Sequence, residues 1–160
     1  VSNAAAAGPF SEDLNAIGAG LTLLEIQQNC PTTFRLWDFP RAGGLRRDMH
    51  LREGLAAARW DLPQPQVTKA GDDVTLVDEG PFGARHLRLT QPRVLKRMWA
   101  GFTLVSCVGG ECEITARAGN GLEAVVVKAP DTVLFPSDFT EFEFYPRGQC
   151  ELLLSWARAA

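Results

Sequence analysis

Two histidines, four cysteines and a scatter of carboxylates are what this 160-residue chain offers toward metal or nucleophilic chemistry. His50 and His86 stand far apart, and the sequence contains neither an H-x-H nor a C-x-x-C pair. A catalytic zinc takes about three protein ligands of His, Asp, Glu or Cys type and keeps a position open for water or substrate. His86 with Glu111, Glu113 and Glu141 is the combination that strand pairing could bring together. Against it, Glu111 and Glu113 alternate with Cys112 and Ile114, which puts the carboxylates on the solvent side of a strand whose other side is core. Arg35 carries a guanidinium, a group that grips a phosphate or other oxyanion with paired donors. Glu25 and Gln27 alternate on the segment before it and would share a polar, substrate-binding surface with Arg35. The structural alternative for Arg35 is a strand residue whose aliphatic stem covers Trp37 and Phe39. His50 reads as a residue that orients the start of a helix.

The elements that must position these groups follow from periodicity and turn residues. Residues 21–28 and 32–39 read as strands joined by Asn29-Cys30-Pro31, the second alternating Phe34 and Leu36 against Arg35, Trp37 and Phe39. Asp48 is placed to cap a short helix over 49–58. Residues 61–81, opened by Pro63 and Pro65, read as a linker. Beyond it come short strands at 84–90, 95–99, 102–108, 111–117, 122–128, 132–135, 140–145 and 150–156, punctuated by glycine and proline turns. Such spacing predicts an all-β sandwich or jelly roll with one short helix. If Gly109-Gly110 makes a two-residue hairpin, Cys107 sits opposite Cys112. The pair is then either two buried thiols or a cross-strand disulfide, the latter disfavoured in a reducing compartment.

The stretch Leu24-Glu25-Ile26-Gln27-Gln28-Asn29-Cys30-Pro31-Thr32-Thr33-Phe34-Arg35-Leu36-Trp37-Asp38-Phe39-Pro40-Arg41 resembles the E-I-Q-Q-N-S-x-T-T-Y-R-L-Y-D-Y-x-R signature of type I mannose-6-phosphate isomerases, which are zinc-dependent cupins. Arg47-Asp48-Met49-His50-Leu51-Arg52-Glu53-Gly54-Leu55 looks like the R-E-L-H-[LI]-x-x-A-L segment of that family. Phe102 through Ile114 is similar to the F-x-L-V-S-V-V-E-G-E-G-E-L of its C-terminal cupin. The order along the chain is the family's own. The resemblance implies a cupin-like jelly roll over 82–160, preceded by a signature arm at 15–60 and the linker. Residues 1–14 are expected to be a tag remnant or disordered leader. It also implies aldose–ketose sugar-phosphate chemistry, with Arg35 as the catalytic residue that handles substrate and stabilises the enediolate.

Two departures from the family bear on the metal. In Ser11-Glu12-Asp13-Leu14-Asn15-Ala16-Ile17-Gly18-Ala19-Gly20, Asn15 stands where the family's P-A-G-T-x-H-A-I-G places a zinc-binding histidine. An uncharged amide is a weak zinc ligand. Glu141, in the outline of the second cupin motif around Asp131-Thr132-Val133-Leu134-Phe135-Pro136, replaces another histidine. Zinc is thus the family cofactor, yet none is expected in this chain, and isomerisation is expected to be impaired. The alternative is a sugar- or sugar-phosphate-binding regulatory module, or a structural dimerising domain.

Charge and hydropathy narrow the partners. A net charge of −3 with dispersed signs, and no basic stripe, argue against nucleic acid. No apolar run reaches membrane-spanning length, and a cytoplasmic protein is expected. Strands carrying Leu23, Ile26, Phe34 and Trp37 with no first cupin to pack on predict a homodimer.

Overall fold

The computed structural model describes residues 24–26, 33–38, 43–44, 46–58, 71–119 and 121–158. The described residues fall into two units, one within Phe10–Gln64 and the other within Pro65–Ala160. The larger unit holds β1 (Asp73–Glu79), β2 (Phe82–Leu89), β3 (Arg93–Lys96), β4 (Thr103–Gly109), β5 (Glu111–Ala118), β6 (Gly121–Lys128), β7 (Thr132–Phe135), β8 (Phe139–Pro146) and β9 (Cys150–Ala157). One sheet runs β1-β2-β9-β4-β7 and the other β3-β8-β5-β6.

The pairing is nested and antiparallel throughout. β5 pairs with β6, β4 with β7, β3 with β8 and β2 with β9. Eight strands therefore fold back as one long hairpin, which is then rolled so that β9 meets β4 and β8 meets β5. That rolled hairpin is a jelly roll, with β1 added at one edge. Alternation along each strand decides which side chains fill it. Leu87, Leu89, Val105, Cys107, Leu152, Leu154 and Trp156 point inward from the first sheet. Ile114, Ala116, Val127, Phe142 and Phe144 meet them from the second. Phe135, Phe139 and Phe142 interlock edge to face, with centroids 5.6 and 5.2 Å apart.

Three expectations change here. Gly109-Gly110 closes no hairpin: β4 and β5 lie in different sheets, and the glycines form the corner between them. Gly110, at φ +75°, has no room for a Cβ against the Gln149 carbonyl and Cys150. Cys107 and Cys112 are accordingly free, buried thiols facing one core from opposite sheets. The 61–81 segment read as linker contains β1, whose Asp73-Val74-Thr75-Leu76-Val77 run outweighs the prolines before it. β1 joins β2 through Gly80-Pro81, with Glu79 opposite Phe82. Gly80 at φ +63° before a proline locked at negative φ is the combination a type II′ hairpin turn requires. Strand boundaries also move, the expected 95–99 strand being β3 over Arg93–Lys96.

In the smaller unit the described residues 24–26 and 33–38 carry no strand, against the expected 21–28 and 32–39. A sheet ladder needs backbone partners on the neighbouring segment, and here an imidazole takes one of them. The Arg35 amide donates to His50 Nδ1 at 3.1 Å, and the His50 amide donates to the Arg35 carbonyl at 2.8 Å. Helix α1 spans Leu51–Ala57. His50, and not Asp48 as expected, is its N-cap residue, and its side chain makes no cap bond.

Candidate functional site

The signature arm builds its site from cross-links between two short segments. Asp38 receives the Arg47 amide at 3.1 Å and the Arg47 guanidinium at 3.0 and 2.5 Å. Arg35 is tied through its backbone to His50, and its Nη1 donates to the Asp48 carbonyl at 3.0 Å. Phe34 meets the His50 ring edge-on, and Gly54 is buried against Phe34 and Leu36 where a Cβ would collide with Leu36. His50 Nδ1 is an acceptor in this arrangement, so the proton of a neutral ring sits on Nε2. Arg35 is half-buried as a residue, its guanidinium bonds Asp48 at an exposed position, and it keeps donors beyond the one used there. Its stem gives Trp37 little cover, since that indole is 69% exposed. Glu25 is exposed. Gln27 and Asn15 lie outside the described residues.

The carboxylates considered for a metal do not converge with His86. Glu111, Glu113, Glu141 and Glu143 project from the outer face of the four-stranded sheet. There Arg147 pairs with Glu111 at 2.7 Å and lies 3.7 Å from Glu113, while Arg117 lies 3.6 and 3.8 Å from Glu141 and Glu143. Tyr145 donates its hydroxyl to Glu143, and that anion raises the phenol pKa. His86 is buried on the outer face of the other sheet, its Nε2 3.5 Å from Glu151 and its Nδ1 3.4 Å from the Gly71 carbonyl. Arg88 holds the same Glu151 at 3.1 Å. Both packed sheets lie between His86 and the carboxylates of Glu111, Glu113, Glu141 and Glu143. Among the described residues no group of three His, Cys, Asp or Glu side chains is placed to hold a metal. The donor set among the described residues does not fit the zinc that the family resemblance implies.

The jelly roll opens at the end where β2 begins and β9 finishes. A cleft of about 380 Å³ lies there, lined by Asp78, Arg85, Met98, Trp99, Trp156 and Arg158, among others. Trp156 lies flat on the backbone of Gly83, where any Cβ would run into its ring. Trp99 stacks on Trp156 with centroids 4.1 Å apart and planes 11° from parallel, and its Nε1 donates to Thr103 at 3.0 Å. Asp73 fixes Arg85 through Nε at 2.6 Å and Nη2 at 2.9 Å and also receives Arg93 at 2.7 Å. The Arg85 hydrogen bond, with both guanidinium charges, holds the Asp73 carboxyl below its usual pKa against the opposing effect of burial. Arg158 donates to the Asp78 carbonyl, and its Nε lies 3.6 Å from the Asp78 carboxylate. None of these cleft residues stood out in the sequence. Inward alternation on β9 points Trp156 at the core, but nothing in its spacing brings Trp99 or Arg85 beside it.

The nested strand order and the filled interior define the class: a cupin-like, double-sheet jelly roll. No protein-family model matches the chain. It is 26% identical over 151 residues to the mannose-6-phosphate isomerase of Streptococcus mutans, covering 91% of this chain and 46% of that protein. It is 28% identical over 148 residues to the mannose-6-phosphate isomerase ManA of Bacillus subtilis, covering 88% and 45%. The chain thus spans less than half the length of the curated relatives it matches. Over about nine-tenths of its own length the chain is thus similar to part of these mannose-6-phosphate isomerases. Similar solved structures include a cupin superfamily protein of Desulfitobacterium hafniense, 16% identical with a TM-score of 0.46 over 64% of this chain and 100% of that one. A cupin-2 domain protein of Shewanella frigidimarina is 8% identical, with a TM-score of 0.42 over 57% and 84%. Among the described residues no helix is long and apolar enough to cross a membrane.

Proposed function

We propose that this chain is an isomerase-like cupin module that binds a sugar phosphate through Arg35 and does not itself complete zinc-dependent aldose–ketose isomerisation. The observation that carries this reading is Asn15 standing in place of a metal-binding histidine while the signature around Arg35 is kept. Moving a proton between adjacent sugar carbons needs a positioned base and a stabiliser of the enediolate oxygen. Arg35, anchored at its backbone by His50 and at Nη1 by Asp48, supplies only the stabiliser or a phosphate clamp. Glu25 and Gln27 would complete the polar surface around the ligand.

The test is calorimetric titration of the purified chain with mannose 6-phosphate, beside a coupled turnover assay and elemental analysis. Binding without turnover, weakened by roughly tenfold or more in Arg35→Ala, is the expected result. Stoichiometric zinc together with turnover would overturn the non-catalytic reading, and binding indifferent to Arg35→Ala would remove the anchor. The exposed Leu24, Phe34 and Trp37 support a homodimer as part of the proposal. A monomeric mass by light scattering at every concentration would dismiss it.

A further inference from the structure

The cleft at the open end of the jelly roll differs in chemistry from both the arm and the glutamate-lined outer face. At about 380 Å³ it falls within the range of small-molecule sites, which combine apolar or aromatic walls with a few fixed polar groups. Asp73 occupies the Nε–Nη2 side of Arg85, so that guanidinium is held in one orientation with three of its five donors left over. Charge around the cleft is unbalanced by one. Asp73 neutralises one of Arg85 and Arg93, and Asp78 neutralises Arg158. The aromatic wall is equally fixed, since Trp99 is clamped between Trp156 and the Thr103 hydroxyl. Neither group must be ordered when a ligand arrives, which lowers the entropic cost of binding.

We propose that this cleft is a second ligand site, separate from the signature arm, for a small polyhydroxylated molecule bearing one oxyanion group. Arg85 takes the oxyanion through its remaining donors. The indole of Trp99 covers the carbon skeleton, and the exposed Met98 closes over it from the rim. A phosphate ester and a carboxylate share this chemistry, and titration tells them apart.

Tryptophan emission of the full chain is followed while adding mannose 6-phosphate, glucuronate, uncharged mannose or inorganic phosphate. The expected result is saturable change with one or both charged sugars, and binding of mannose or inorganic phosphate weaker by about tenfold or more. Arg85→Met should weaken the charged sugars by a similar factor while Arg93 still holds Asp73, and Arg35→Ala should leave this signal in place. In the unmodified protein, the same titration followed by NMR should shift the Trp99 indole and Arg85 guanidinium resonances. The proposal is overturned if no charged sugar binds, if inorganic phosphate binds as well as the sugars do, or if Arg85→Met binds like the parent. It is equally overturned if the NMR shifts gather around Arg35 alone. Loss in Arg35→Ala with retention in Arg85→Met would support the arm's role and reject the cleft. The opposite pattern supports the cleft and rejects the arm.

Discussion

At the scale of single residues, burial sets the chemistry of the thiols and a missing side chain sets the cleft. Desolvation pushes the Cys112 thiol up to about 12, and Cys107 and Cys150 are raised for the same reason. An unfolded thiol ionises near ~8.5, whereas these stay neutral in the fold. Their contribution to stability is therefore complete below about pH 8.5 and falls away as pH climbs toward the folded value. Urea midpoints should drop between pH 7 and pH 10, and Cys112→Val should drop less. At neutral pH all three should resist a soluble thiol reagent until the chain is denatured, which peptide mapping would verify. Gly83 is the converse case: its φ is ordinary, and what it supplies is space for Trp156. Gly83→Ala should cost about 1–3 kcal/mol through overpacking and shift tryptophan emission to the red as the stacked pair is displaced. Unchanged emission would mean that the ring does not lie on that glycine.

Between residues and the whole lie the elements, and here the sequence was unevenly legible. Alternation exposed most of the jelly-roll strands because a half-buried strand writes its inner face in every second residue, as Cys112, Ile114 and Ala116 do in β5. Glycine pairs were ambiguous. Gly119-Asn120-Gly121 joins two paired strands, whereas Gly109-Gly110 turns the chain from one sheet to the other, and only tertiary contact with Gln149 and Cys150 separates the cases. The described part of the arm carries no strand because, whatever its alternation, the Arg35 amide is taken by the His50 ring, which no periodicity encodes. Arg35 was visible through its motif, while Arg85 was invisible because the Asp73 and Trp99 that define its surroundings come from other elements. The corner gives a sharp test. Gly110→Ala combines a left-handed φ with a collision against backbone and should destabilise by more than about 1 kcal/mol. At Gly109 an added Cβ would meet only Glu151 side-chain carbons, the nearer at 3.6 Å, so Gly109→Ala should cost far less. Equal midpoints for the two variants in denaturant would contradict a corner built on Gly110.

For the jelly roll as a whole, the nest of pairings imposes an order of assembly. Joining β2 to β9 brings together the most distant strands of the nest, while β5 and β6 are only two residues apart in sequence, with Ala118 paired to Gly121. Loop-closure entropy makes the outer pairings unfavourable until inner ones shorten the effective loop. Each pair of the nest then sets the register of the next, from β5–β6 through β4–β7 and β3–β8 to β2–β9. Folding should therefore take milliseconds to seconds, in the range of other β-sandwiches. Val127 and Leu152 are both buried, the first on β6 and the second on β9, so truncation to alanine should destabilise either one measurably. Val127→Ala should slow refolding, with a φ-value above roughly 0.5, because its contacts are formed in the nucleus. Leu152→Ala should act mainly by accelerating unfolding, with a φ-value below roughly 0.3, because β9 closes last. Stopped-flow chevrons of the two variants would measure both, and the reverse assignment would mean that the roll closes from its outer strands inward.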